Sequence, residues 1–193
     1  MSKKVVFALL VLVACTRGTA HGDGRVPKPP ATASPSIGAS AARSMFVRSC
    51  ESRVFGALGP DWRRGQIVAG PVVLVGASGY AADAGALFSA PGRLATSQKV
   101  LVVVRGSRPV EISVRHPDAA LAYDPSRWSD RNVVPFRRGD PRVRFEPCGG
   151  DRRWTQFNGA FLLRGPGCVP VEVRPQDRVP VFVTISFGAG DRC

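Results

Sequence analysis

Few side chains in this 193-residue chain are placed for hydrolytic chemistry. His21 lies in a Pro-rich stretch, so His116 is the one histidine left for a nucleophile–base pair. Ser113 precedes it by three residues on one predicted strand, a spacing that rarely brings a hydroxyl against an imidazole. The segment Gly76-Ala77-Ser78-Gly79-Tyr80 lacks the fifth-position glycine that a nucleophile elbow needs. These residues favour a protein that is not an enzyme, with no catalytic residue.

The glutamates support the same interpretation. A glycosidase needs two carboxylates that face one cleft, but Glu111, Glu146 and Glu172 fall at outward positions of predicted strands that also carry arginines. Cross-strand ion pairs on a solvated face are therefore expected. An envelope hydrolase whose carboxylates converge only in the fold is the alternative. No phosphate loop, EF-hand or dinucleotide fingerprint is present, so no cofactor is expected. The arginines on those strands are Arg115, Arg144 and Arg174.

Four cysteines are spaced for disulfide bonds. Cys50, Cys148, Cys168 and Cys193 lie at least 20 positions apart, whereas zinc ligands usually come in close pairs such as C-x2-C. An even number of cysteines in an exported protein predicts two disulfides. No metal site is expected.

The N-terminal segment has the layout of an export signal. Lys3 and Lys4 precede an apolar run, Val5 to Val13, that is too short to span a bilayer. Leu12-Val13-Ala14-Cys15 follows, and it resembles the lipobox of bacterial lipoproteins. The resemblance implies that residues 1–14 are a lipoprotein signal peptide and that Cys15 receives a diacylglycerol. The protein is then expected on the extracytoplasmic face of the cell membrane. In the alternative, the leader is an ordinary signal peptide and the presence of Cys15 is incidental.

The charge is strongly basic and is carried by arginine. The formal net charge is +13, and loss of the leader leaves 25 basic residues against 14 acidic ones, or +11. Lys28 and Lys99 are then the remaining lysines. Guanidinium groups suit phosphate and carboxylate, which favours an anionic cell-wall polymer or an envelope protein as partner. Nucleic acid is not expected as a partner, because the predicted location is outside the cytoplasm. In the alternative, the high arginine content reflects the base composition of a GC-rich genome, and most of the arginine side chains lie on the solvated surface.

Each of the three tryptophans stands beside arginines. Such pairs are suited to stacking on sugar rings or gripping anionic groups of a cell-wall polymer. In the alternative, each tryptophan closes an end of the domain beneath arginine side chains that extend to water. The candidate binding residues are Trp62, Arg63, Arg64, Arg127, Trp128, Arg131, Arg152, Arg153 and Trp154.

The composition divides the chain into three parts. After the leader, residues 15–43 are rich in Pro, Ala, Ser and Gly and hold almost no large apolar side chains, which predicts a flexible tether. Residues 44–193 are predicted to form a single domain.

The domain should be built from short strands. Apolar and polar residues alternate with a period of two in several segments, and two apolar runs are expected to be central strands. The one helical candidate is Tyr80 to Phe88. These features predict an all-β antiparallel sandwich, immunoglobulin-like or similar, stapled by disulfides. The alternating segments are 110–115, 142–146, 169–174 and 181–187, and the apolar runs are 67–75, which Gly70-Pro71 interrupts, and 100–104.

The disulfide pairing depends on how the last strands connect. If 142–147, 157–164, 168–174 and 179–187 form an antiparallel meander, Cys148 lies at the end of the sheet opposite Cys168 and Cys193. Cys50–Cys148 and Cys168–Cys193 are then favoured. If the segments cross between sheets instead, Cys148–Cys168 becomes the alternative.

Two C-terminal segments, 165–173 and 186–193, are similar to the end of small exported proteins of actinobacteria. Gly70-Pro71-Val72 and Lys99 to Val104 resemble the central strands of the same family. The resemblance covers residues 66–193. It implies a compact domain and carries no activity.

Overall fold

The computed structural model describes residues 45–81, 96–128, 134–150, 153–190 and 193. The predicted leader and tether, with Cys15, lie outside the described residues, as do Arg131 and Arg152. Within the described part, short strands alternate with turns and four single-turn 3-10 helices. The strands are β1 (Phe46–Arg48), β2 (Ile67–Ala69), β3 (Val72–Val75), β4 (Thr96–Lys99), β5 (Leu101–Arg105), β6 (Val110–Val114), β7 (Ala119–Ala122), β8 (Arg142–Phe145), β9 (Trp154–Phe157), β10 (Ala160–Leu163), β11 (Gly167–Pro175) and β12 (Val181–Phe187).

Five strands form the first sheet, in the order β1-β8-β6-β11-β12. Their sequences alternate, so one side of each strand is buried: Val110, Ile112 and Val114 of β6 point inward, and Glu111 and Ser113 point outward. The pairs are antiparallel except for β1, which runs parallel to β8 with Arg48 opposite Phe145. The alternation predicted for β6, β8, β11 and β12 is confirmed.

The opposite side of the domain is one bent ladder. It contains the orders β2-β3-β5-β9 and β4-β10-β7, and the register does not change between them. Lys99 faces Ala160 in one half, and three residues along each strand Val102 faces Phe157 in the other. The amide of Val100 also donates to the carbonyl of Gly159 at 3.1 Å across the break. Residues 96–105 and 154–163 therefore form a single antiparallel ladder, and we call its interruption at Val100 and Gly159 the kink.

The two layers enclose one apolar core. Phe145 of the first sheet packs on Phe157 with ring centroids 5.2 Å apart, and Phe187 packs on Phe161 at 5.5 Å. Tyr123, which follows β7, is fully buried at the kink and donates its hydroxyl to the carbonyl of Val100 at 2.8 Å. The structure is an all-β sandwich, as the sequence predicted.

The predicted meander of the last four segments is wrong. Only β11 and β12 pair with each other, whereas β8 joins β1 and β6, and β9 and β10 belong to the opposite layer. The turns at 106–109 and 165–167 each carry the chain from one layer to the other. Strand pairing is decided by burial between distant segments, which local alternation does not encode.

Two disulfides link the described cysteines, Cys50 with Cys148 and Cys168 with Cys193. The first bond follows from the parallel pair β1–β8, because both strands leave the sheet at the same end. The second lies near the β11–β12 hairpin, where Cys168 is opposite Ser186. This is the favoured connectivity, although the meander from which it was argued does not form.

Ion pairs cover the outer face of the first sheet. Glu111 lies 3.6 Å from Arg142, and Glu146 lies 3.1 Å from Arg144. Glu172 bonds to both Arg174 and Arg115, and its carboxylate is buried beneath them rather than solvated, which corrects the expectation of an open face. The hydrogen bond from Arg174, with that from Arg115, lowers the pKa of Glu172.

The helical candidate Tyr80 to Phe88 is described only at its start. Ala77–Tyr80 is a 3-10 helix, and the segment 82–95 lies outside the described residues. Tyr80 donates to the carbonyl of Lys99 at 2.7 Å and stacks on Phe187. In the part of the chain that is described, no helix has the length and apolar character needed to cross a membrane.

Candidate functional site

Two tryptophans that are distant in sequence meet on the outer face of β9. Trp154 is the first residue of that strand, and its side chain points away from the core because Thr155 and Phe157 point inward. Trp62 comes from the turn before β2 and meets Trp154 edge to face, with ring centroids 5.3 Å apart. This contact fixes the turn on the sheet.

Arginines surround this tryptophan pair. The guanidinium of Arg63 lies 4.0 Å from the ring centroid of Trp154, and that of Arg105 lies 5.9 Å from it. Arg105 is opposite Trp154 in the β5–β9 ladder. Arg153 precedes β9, and its carbonyl accepts from the amide of Gly106 at 3.2 Å. We call Trp62, Arg63, Arg105, Arg153 and Trp154 the Trp–Arg patch.

The Trp–Arg patch encloses an open concavity of about 400 Å³. Arg63, Arg105 and Arg153 are exposed there, and none of them forms an ion pair with a described carboxylate. The described lining holds no acidic side chain. Because Arg63 covers a face of Trp154, the patch presents guanidinium groups rather than a bare indole face. Its chemistry suits an anion more than a sugar ring.

An apolar groove of about 120 Å³ continues from the patch. Val68 and Val73 of the β2–β3 hairpin form its floor together with Gly70 and Pro71, and Arg63 borders it. Val68 is 54% exposed. A ligand that lies along the patch therefore meets a cationic part and a neighbouring apolar part.

The remaining predicted residues are placed elsewhere. Arg64 pairs with Asp61 at 3.3 Å on the surface. Arg127 holds Asp124 and Asp140 at 2.8 Å each. Partial burial opposes its charge, but the bonds to these carboxylates outweigh that effect and raise the pKa of Arg127. This arginine fixes the segment after β7 rather than presenting its charge to a ligand.

Trp128 does not join the patch. It packs against a small second core cluster that includes Ala120, Ala122 and Leu162 on the outer side of β7 and β10. Two of the three tryptophan–arginine groups therefore come together at the patch, through Trp62, Arg63, Arg153 and Trp154.

His116 borders a different cavity, of about 440 Å³. Its Nδ1 accepts from the amide of Asp118 at 3.2 Å, and the cavity lining that the structure describes contains no carboxylate or hydroxyl side chain. Across the described ranges, no group of three or more His, Cys, Asp and Glu side chains is placed to hold a metal ion.

Sequence reasoning missed Arg105 as a member of the patch. It lies just beyond the apolar run 100–104, and no tryptophan adjoins it in sequence. The two-residue period of a strand could have indicated it, because that period places Arg105 on the same face as Val103. In the structure these two residues lie opposite Trp154 and Gln156.

The chain is an all-β, disulfide-linked sandwich domain with a basic aromatic patch on one sheet. It shows no significant match to a protein-family model, a curated protein or a solved structure.

Proposed function

We propose that this protein is a non-catalytic binding or accessory module of the bacterial cell envelope. In this proposal it is attached to the extracytoplasmic face of the membrane by a lipid on Cys15, and its Trp–Arg patch contacts an anionic cell-wall polymer. The observation that carries the proposal is the convergence of Arg63, Arg105 and Arg153 without described counter-ions.

The three guanidiniums of the patch lack described counter-ions. Several arginines elsewhere on the domain are matched with carboxylates, as Arg142 is with Glu111 and Arg127 with Asp140. In the patch three positive charges remain together, although like charges repel at short range. An anionic ligand would relieve this repulsion and add charge-assisted hydrogen bonds.

The predicted tether favours a polymer over the lipid surface. If residues 15–43 behave as a flexible chain, they hold the domain about 30 Å from the headgroups on average. At physiological ionic strength the charge of the headgroups is largely screened beyond about 8 Å, so it would attract the domain only weakly at that distance. An envelope protein with an acidic surface is the second partner class that this chemistry would accept.

Substituting Arg63, Arg105 and Arg153 together by glutamine should weaken binding to purified cell wall at least about tenfold. The reason is that each charge-assisted hydrogen bond contributes about 1.5–3 kcal/mol, and 1.4 kcal/mol corresponds to a factor of ten. The measurement is a pull-down of residues 16–193, secreted without the lipid, across a series of salt concentrations. Anionic vesicles form a parallel arm.

The matched control removes the same charge elsewhere. Arg137, Arg138 and Arg178 form no described ion pair, and glutamine at these three positions should leave saturable binding intact. Equal losses in both triple variants would attribute binding to net charge alone and contradict a site at the patch. Stronger binding to vesicles than to wall would reject the polymer as partner.

Replacing Cys15 by alanine should leave the precursor unprocessed or mislocalised. The physical reason is that the cysteine thiol is the acceptor of the diacylglycerol, so the variant has no anchor. Membrane fractionation and the mobility of the precursor, with globomycin treatment as a parallel, measure the effect. A Ser34→Ala variant, in the predicted tether, controls for a substitution in this part of the chain. Normal release of mature soluble Cys15→Ala protein would reject the anchor.

An envelope hydrolase remains the second candidate function. It would need carboxylates, or His116 with a carboxylate and a hydroxyl, to converge in one cleft. Within the described residues Glu111, Glu146 and Glu172 are each held by arginines instead, which supports the binding module. Release of soluble fragments from purified cell wall by the wild-type protein would favour the hydrolase.

A further inference from the structure

A second concavity lies where the bent ladder kinks. It has a volume of about 500 Å³, within the range of small-molecule sites. Ser97 and Lys99 of β4 line it, together with Asn158 at the kink. Val54 and Trp128 supply apolar surface. The lining shares no residue with the Trp–Arg patch.

Arg48 of β1 also lines this cavity, and its side chain is almost completely buried, with 4% of its surface exposed. Its Nη1 donates to the carbonyl of Tyr123 at 2.9 Å. Its Nε is buried and has no hydrogen-bond acceptor among the described residues. Among the described residues no carboxylate forms an ion pair with it.

The nearest acidic group does not neutralise Arg48. Asp124 attracts it at longer range, but that carboxylate is bound by Ser126 and Arg127. Burial lowers the pKa of Arg48, opposed by Asp124, and a guanidinium remains charged even so because its ordinary pKa is far above neutral. A buried cation without a counter-ion is costly. No structural pairing within the described chain offsets that cost.

We infer that this cavity binds a small organic carboxylate, with its anionic group at Arg48 and its apolar part against Trp128 and Val54. The Nε–H of Arg48 lacks an acceptor, and a carboxylate is the group that forms charge-assisted hydrogen bonds with a guanidinium. Lys99 is exposed at the rim, where its ammonium adds attraction for the anion. One buried cation suits a monoanion, and the described lining holds no acidic side chain that would repel it.

The probes are benzoate, 3-phenylpropionate and acetate, with benzamide as the neutral analogue of benzoate and phenyl phosphate as a second anion. Residues 16–193 are titrated at low salt by two-dimensional NMR. We expect benzoate or phenylpropionate to shift the indole N–H of Trp128 and the amides of Ser97 and Lys99 with saturation at millimolar concentration or below. Benzamide should bind at least tenfold more weakly.

Two variants at Arg48 test the role of its charge. Arg48→Met should abolish benzoate binding, and Arg48→Lys should weaken it about tenfold, because lysine keeps the charge and loses the planar fork. Without ligand, Arg48→Met should unfold at nearly the same temperature as the wild type or at a higher one, because the variant removes a buried charge. Variants of the Trp–Arg patch should bind benzoate like the wild type, so failure of either proposal leaves the other standing.

Several outcomes would overturn the assignment. If none of the carboxylates shifts these signals in the wild type, the cavity is no anion site and Arg48 has a structural role. Equal affinities for benzamide and benzoate would make it an apolar cavity. Preference for phenyl phosphate would reject a carboxylate as the bound group. Retained benzoate binding in Arg48→Met would remove the arginine from the site.

Discussion

Replacing Cys50 and Cys148 together by alanine is expected to lower the free energy of unfolding by about 4–5 kcal/mol. The bond links positions 98 residues apart, so its loss frees a long loop in the unfolded chain. Because small domains are stable by only about 5–15 kcal/mol, the variant should be close to unfolding at physiological temperature. Urea denaturation followed by tryptophan fluorescence measures the loss.

The second disulfide is the natural comparison. Cys168 and Cys193 are only 25 residues apart, and the same chain-entropy argument gives a loss of about 3 kcal/mol for the Cys168→Ala/Cys193→Ala variant. A smaller loss for the Cys50–Cys148 variant than for this one would mean that the long loop is not what the first bond restrains. Alkylation of the denatured wild type without reductant should label neither pair.

Gly159→Ala is the single substitution from which we expect the largest effect, a loss of about 3 kcal/mol in the free energy of unfolding. A Cβ at this position would lie 2.6 Å from Cγ of Tyr123 and nearer still to two other ring carbons. The ring has no room to move away, because its hydroxyl donates to the carbonyl of Val100 and the ring packs nearly perpendicular to Phe145, with centroids 5.1 Å apart. Glycine is needed here for space at the kink.

Gly165→Ala is the matched control. A Cβ on Gly165 would have no atom within 4 Å, and its backbone lies outside the left-handed region, so the free energy of unfolding should change by no more than about 0.5 kcal/mol. Thermal and urea unfolding of both variants compare the two positions. Similar stability of the two proteins would show that the kink can open without cost and that Tyr123 does not hold it.

The local pattern predicted the strands and the disulfide-stapled, all-β class because burial alternates residue by residue. Val110, Ile112 and Val114 are buried in the structure as their spacing indicates, and the apolar run at 100–104 is central. The proposed pairing of strands failed where it needed distant partners. The short β1 joins β8 in parallel, a contact between segments about 100 positions apart that no local spacing shows.

The candidate sites likewise include features that the sequence shows and features that only the tertiary structure creates. The sequence alone indicated the lipobox cysteine and the tryptophan–arginine pairs, because the residues of each motif are neighbours along the chain. Only the tertiary structure joined Trp62 to Trp154 and added Arg105, because the three come from separate strands and turns of one sheet face. It also decided the state of Arg48. In sequence that residue is one basic side chain among 27. Its burial without a described counter-ion depends on the fold, which brings it against Tyr123, 75 positions away.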